Sequence, residues 1–76
     1  MAADAQIEAL VDDELRRGDK RSAVYRRGML DILTFRLNGT PLPSPYRPGT
    51  LEFDAYIAGN ERGHHLFRRL QEETPQ

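Results

Sequence analysis

Between Asn38 and Thr50 the chain reads NGTPLPSPYRPGT, and four of its five prolines, Pro41, Pro43, Pro45 and Pro48, fall in that stretch. Each proline locks its own φ and pushes the residue before it out of the helical region, so Thr40, Leu42, Ser44 and Arg47 are extended as well. The segment is therefore a stiff, pre-ordered connection, and the sequence on either side of it folds as separate elements.

Both sides carry helical periodicity. Before the connection, Tyr25, Met29, Ile32, Leu33 and Leu37 recur at helical spacing and run into Asn38 and Gly39, a terminator pair. Val24, Leu30 and Phe35 lie off that stripe, so the helix over 19–38 has wide apolar coverage and is expected to be the most buried element. Asp19 is the expected cap at its start. After the connection, Thr50 is a serviceable N-cap, and Glu52 and Asp54 sit in the first turn, where the helix dipole favours acids. The stripe Phe53, Tyr56, Ile57, Phe67 and Leu70 predicts a helix over 50–71, with a frayed tail over 72–76. Ahead of both, Ile7, Leu10, Val11 and Leu15 mark a short amphipathic helix over 1–18 that ends at Arg16, Arg17 and a left-handed Gly18. A single kinked helix through Gly18 is the alternative. No segment alternates with strand period. The expected fold is all-α: one small domain with two long helices packed antiparallel across the proline-rich connection of 39–49, plus the amphipathic N-terminal helix.

Three glycines sit inside the two long helices. Gly28 in one, and Gly59 and Gly63 four apart in the other, would let two backbones approach closely, with Tyr25 and Tyr56 beside them. Packing of the two helices is one reading; a contact with another molecule on the same smooth surface is the other.

A chain of 76 residues buries only roughly 60% of the surface its unfolded form exposes. With no Cys to bridge it, stability must come from helix packing, from self-association into a homodimer or from a partner. No apolar run approaches membrane-spanning length, and the N-terminus is acidic where a signal peptide would be basic. These features predict a soluble cytoplasmic protein.

The net charge of −1 conceals a separation. Up to Leu15 there are five acids and no base, a net −5; from Arg16 to Arg47 eight bases face two acids, a net +6; the remainder carries three bases and five acids, a net −2. A basic block is the footprint that phosphate binding requires. The acidic segment beside it can equally be its neutralising partner.

Catalytic chemistry finds little purchase, because there is no Cys nucleophile, no phosphate-cradling glycine loop and no paired acids that spacing assigns to a cleft. The chain is expected not to be an enzyme and to need no cofactor. His64 and His65, with Glu61 at helical spacing, could supply half of a metal site, but adjacent residues on a helix point about 100° apart, and no second ligand cluster exists to complete it. No metal is expected.

YRRG at Tyr25–Gly28, SPY at Ser44–Tyr46 and YIAG at Tyr56–Gly59 resemble motifs of the ribosome modulation factor family and its phage and plasmid relatives, over about half of the chain. Ser44 stands where that family's loop motif has Cys. The resemblance implies two helices joined by a loop, and a non-catalytic partner of ribosomal RNA that modulates translation. The expected contact set is Arg26, Arg27, Arg36, Tyr46 and Arg47, with Tyr46 stacking on an unpaired base and the arginines on phosphate. Tyr46 folding back onto the helical core is the structural alternative. The competing function is a protein interaction module, or a phage-type inhibitor, that works through the acidic first helix and leaves the other two folded when that helix is removed.

Overall fold

The computed structural model describes residues 3–18 and 22–73. They form three helices and no strand: α1, Asp4–Arg16; α2, Ala23–Asn38; and α3, Leu51–Glu73. Among the described residues no helix is long and apolar enough to cross a membrane.

Each helix end has a local cause. The Gln6 side-chain oxygen Oε1 accepts from the Ala3 backbone N–H at 2.9 Å and so ties down the start of α1. At its end Arg17 is right-handed (φ −82°, ψ −14°), and Gly18 is not among the residues with positive φ, so the expected left-handed stop is absent. Ser22 caps α2, its Oγ accepting from the Tyr25 N–H at 3.2 Å. The cap expected at Asp19 lies outside the described residues. Gly39 ends α2 in the left-handed region (φ 76°), with its N–H on the Phe35 carbonyl at 2.9 Å. Thr50 caps α3 through its Oγ, 3.1 Å from the Phe53 N–H. That helix continues through Glu72 and Glu73, where fraying was expected; residues 74–76 lie outside the described chain.

The main packing is α2 on α3, and its direction corrects the expectation. A methyl on Gly59 would meet the Tyr25 carbonyl, one on Gly63 would meet Met29 and Ile32, and the Arg36 guanidinium lies over the Phe67 ring. Contacts thus advance together along both helices, which run side by side in the same sense and not antiparallel. The connection is what permits this. A parallel neighbour requires the chain to return the full length of α2, about 24 Å for 16 residues. The twelve intervening residues, extended at about 3.1 Å each, reach roughly 37 Å. A short loop would have forced the antiparallel hairpin.

The core is small and shared by all three helices: Ile7 and Val11 from α1, Tyr25, Met29 and Leu33 from α2, and Leu66 and Phe67 from α3 form one buried cluster. Helix α1 is separate from α2 and lies across the pair; its acids reach Arg26 on α2 and Arg62 and Arg69 on α3. Its stripe differs from the apolar reading in one position. Glu14 is buried, 5% exposed, where Leu10 and Leu15 are only partly covered.

Candidate functional site

The structure separates the five residues expected to contact RNA. Arg26 points at α1, its Nε 2.9 Å from Asp12 Oδ1 and its Nη2 3.6 Å from Glu8. This hydrogen bond holds the Asp12 carboxyl below its ordinary range. Arg27 Nε donates to both oxygens of Asp31 at 2.9 and 3.1 Å. The Tyr46 ring lies against Tyr56, centroids 5.4 Å apart and planes tilted by 56°. Arg36 sits 4.7 Å from the centroid of Phe67. Arg47 is exposed on the connection, where its carbonyl accepts from the Thr50 hydroxyl. Three of the five, Arg26, Arg27 and Tyr46, are thus engaged in holding the fold.

The connection closes over Tyr56. That side chain is fully buried, and its hydroxyl donates to Asp31 Oδ2 at 2.8 Å, the same carboxylate that Arg27 grips. One turn further along α3, Asn60 Nδ2 donates to the Gly28 carbonyl at 2.7 Å. Burial, and then the hydrogen bond to Asp31 and that residue's charge, push the Tyr56 hydroxyl up to about 12; the Ser44 backbone and Asn60 pull weakly the other way. Ser44 occupies the left-handed region (φ 45°), uncommon for a residue with a side chain. Because the folded value is raised above the ordinary 10, the associated stability is full below pH 10 and is lost as pH rises through about 12. Tyrosinate absorbance should therefore show the Tyr56 ionisation delayed to about pH 12, together with loss of helical circular dichroism. Ionisation of Tyr56 near its ordinary 10 with the helices intact would contradict this.

A different set of cations converges. Arg36 of α2 and Glu61, His64, His65 and Arg68 of α3 line a groove of about 380 Å³. Arg68 Nη2 is 3.3 Å from His65 Nδ1. A guanidinium can only donate, so Nδ1 accepts and the ring proton is assigned to Nε2. Burial, and then the charges of Arg36, Arg68 and His65, hold His64 below its ordinary 6.5. Among the described residues the other basic side chains, Arg47 apart, are paired with carboxylates: Arg16 and Arg17 with Asp13, Arg26 with Asp12, Arg27 with Asp31, Arg62 and Arg69 with Glu14. Arg36 and Arg68 have no such partner. A second groove, of about 400 Å³ between α1 and α2, is lined by Asp4, Glu8 and Asp31 together with an arginine already bound, Arg27, and has no spare positive charge for an anion. No group of three or more metal-binding side chains occurs among the described residues.

The sequence reading gave no site role to Glu14, Asp31, Asn60 or Arg68. The signal for the groove was the i, i+3 and i+4 recurrence of Glu61, His64, His65 and Arg68, which places them on neighbouring positions of one helix surface.

No family model, no curated protein and no solved structure matches this chain. The residues that carry the likeness to the ribosome modulation factor family have packing positions here. Gly28 and Gly59 form the helix crossing, Tyr25 and Tyr56 flank it, and Tyr46 covers Tyr56.

Proposed function

We propose that this chain is a non-catalytic RNA-binding protein that associates with the ribosome and modulates translation. One observation carries the reading: the internal pairing of acids and bases leaves Arg36 and Arg68 uncompensated, and the two share a groove with both histidines. Unpaired cations gathered on one surface are what a phosphate backbone binds. The resemblance described above supplies the ribosome as the particular RNA.

The rival reading, a protein partner captured by the acidic first helix, meets competition within the chain. Asp12, Asp13 and Glu14 already hold arginines, and Ile7 and Val11 face the core. A partner would have to displace all of these.

Sucrose-gradient sedimentation of the tagged protein in its host's lysate tests the proposal. At low salt it is expected to co-migrate with ribosomal particles, and the association is expected to be lost at high salt, because each phosphate contact releases condensed counterions. A protein that stays at the top of the gradient at both salt concentrations would overturn it.

A further inference from the structure

We propose that the groove lined by Arg36, His64, His65 and Arg68 holds one phosphate of a single-stranded RNA backbone, and that His64 takes up a proton when it does so. The inference rests on the RNA-binding reading and specifies its site, which lies apart from Arg26, Arg27 and Tyr46.

The geometry suits an oxyanion. The Arg36 guanidinium lies over the Phe67 ring, 4.7 Å from its centroid, and no carboxylate among the described residues pairs with its N–H donors. A guanidinium fork recognises phosphate bidentately. Across the groove Arg68 is exposed, with one nitrogen on His65 Nδ1; that bond leaves His65 Nε2–H as a further donor. His64 stands between the two helices, half-buried. The charged and titratable groups around it are Arg36 from α2 and Glu61, His65 and Arg68 from α3. Glu61 is the single carboxylate at the groove and opposes an anion there.

Proton uptake follows from the same neighbours. In the free protein, burial and the surrounding cations disfavour a charged His64. A phosphate offsets those cations, so the bound state holds the proton to higher pH than the free state. Affinity therefore rises as pH falls below the bound-state value and levels off once the free His64 is also charged. The limit for one proton is about tenfold per pH unit.

A short oligouridylate is the appropriate RNA probe, because neither its bases nor its phosphodiesters titrate in the histidine range; inorganic phosphate is the second probe. The expected results are binding to the oligouridylate that tightens from about pH 7.5 to about 5.5, and loss of that dependence in His64→Gln. Arg68→Gln should weaken binding and flatten the plot of log affinity against log salt by about 0.7, the increment for one phosphate contact on a single strand. Glu61→Gln should tighten binding, which a purely structural role for this surface would not produce. Circular dichroism of each variant checks that the helices persist, and Arg68 and Glu61 are both exposed.

Oligouridylate binding unchanged by Arg68→Gln and Glu61→Gln would overturn the groove while leaving the RNA reading standing. Binding that ignores pH in the wild type would overturn the proton uptake. If inorganic phosphate shifts the His64 and His65 ring resonances but the oligouridylate does not bind, the RNA reading fails and the groove is a site for small anions. Silence with both probes would overturn site and reading together.

Discussion

Gly59→Ala is expected to destabilise the fold of this protein severely. A methyl group at that position would fall on the Tyr25 carbonyl oxygen and lie 3.1 Å from the Gly28 Cα, so it meets backbone of α2 on both counts. A side chain can rotate away from an intruder, whereas a helix backbone can retreat only by moving whole. The added carbon therefore wedges α2 from α3 along the interface that holds Tyr25, Met29 and Leu33 against Leu66 and Phe67. Overpacking a core ordinarily costs about 1–3 kcal/mol, and the backbone clash puts this case at or above the top of that range. A domain of this length has a total stability of roughly 4–11 kcal/mol. Thermal and urea denaturation followed by far-ultraviolet circular dichroism should show a strongly lowered midpoint or no cooperative transition. Gly18→Ala is the control: its methyl would meet only the Arg62 Nη2 at 3.8 Å, an ordinary contact, and removing a glycine's freedom from the unfolded chain stabilises by about 0.4–1 kcal/mol where the backbone permits. A Gly59→Ala protein as stable as the wild type would mean that the two backbones do not touch at this crossing.

The glycines illustrate what is legible in such a sequence. Their presence inside two helices marks a close approach, the Asn38–Gly39 pair marks a stop, Thr50 marks a start, and hydrophobic spacing identifies the helix faces. None of these signals carries direction. The side-chain period of a helix is the same read either way, so antiparallel packing was the default for neighbouring helices, and the reach of twelve extended residues had to be set against the length of α2 to see that a parallel return is possible. Charge presents a similar limit. Summing residues along the chain locates a basic segment, but which cations remain free depends on pairing between elements far apart in sequence. Arg26 belongs to the basic segment and is neutralised from α1; Arg68 lies in the acidic C-terminal stretch and is not neutralised. The groove was hidden because its cations come from both segments. Tyr46 had two readings, and its ring rests on Tyr56, whose partner Asp31 carried no mark in the sequence beyond its spacing from Arg27.

Glu14→Gln is expected to be the most damaging substitution on α1. Glu14 occupies the helical stripe of Ile7 and Val11, faces α3, and accepts from Arg62 Nε at 2.9 Å on one carboxylate oxygen and from Arg69 on the other. Burial works against its charge, and the hydrogen bonds from Arg69 and Arg62 outweigh that penalty, so the carboxyl is held below its ordinary 4.5. Glutamine keeps the shape but supplies one acceptor oxygen for two guanidinium groups and turns an NH₂ toward the other. Removing one partner of a fully buried pair costs about 3–5 kcal/mol; here both arginines are half-exposed and can rehydrate, which lowers the expectation to about 2 kcal/mol. The sign with pH is definite. A depressed folded value means that the stabilisation is present above 4.5 and disappears as pH falls through the folded value, so urea midpoints of the wild type and the variant should converge on acidification. Equal stability at neutral pH would mean that α1 is not held by this contact. The same substitution bears on function, because Glu14 determines which arginines of α3 are spent internally. With it in place Arg62 and Arg69 are both tied to one carboxylate, and Arg68 is the arginine of α3 that lines the groove. Without it both guanidinium groups lose their carboxylate and the net charge beside that helix rises by one, and oligouridylate binding should gain affinity and salt dependence even as the fold weakens. Deleting α1 outright would remove this control together with Ile7 and Val11 of the core, which is why α2 and α3 are not expected to stand as an independent unit.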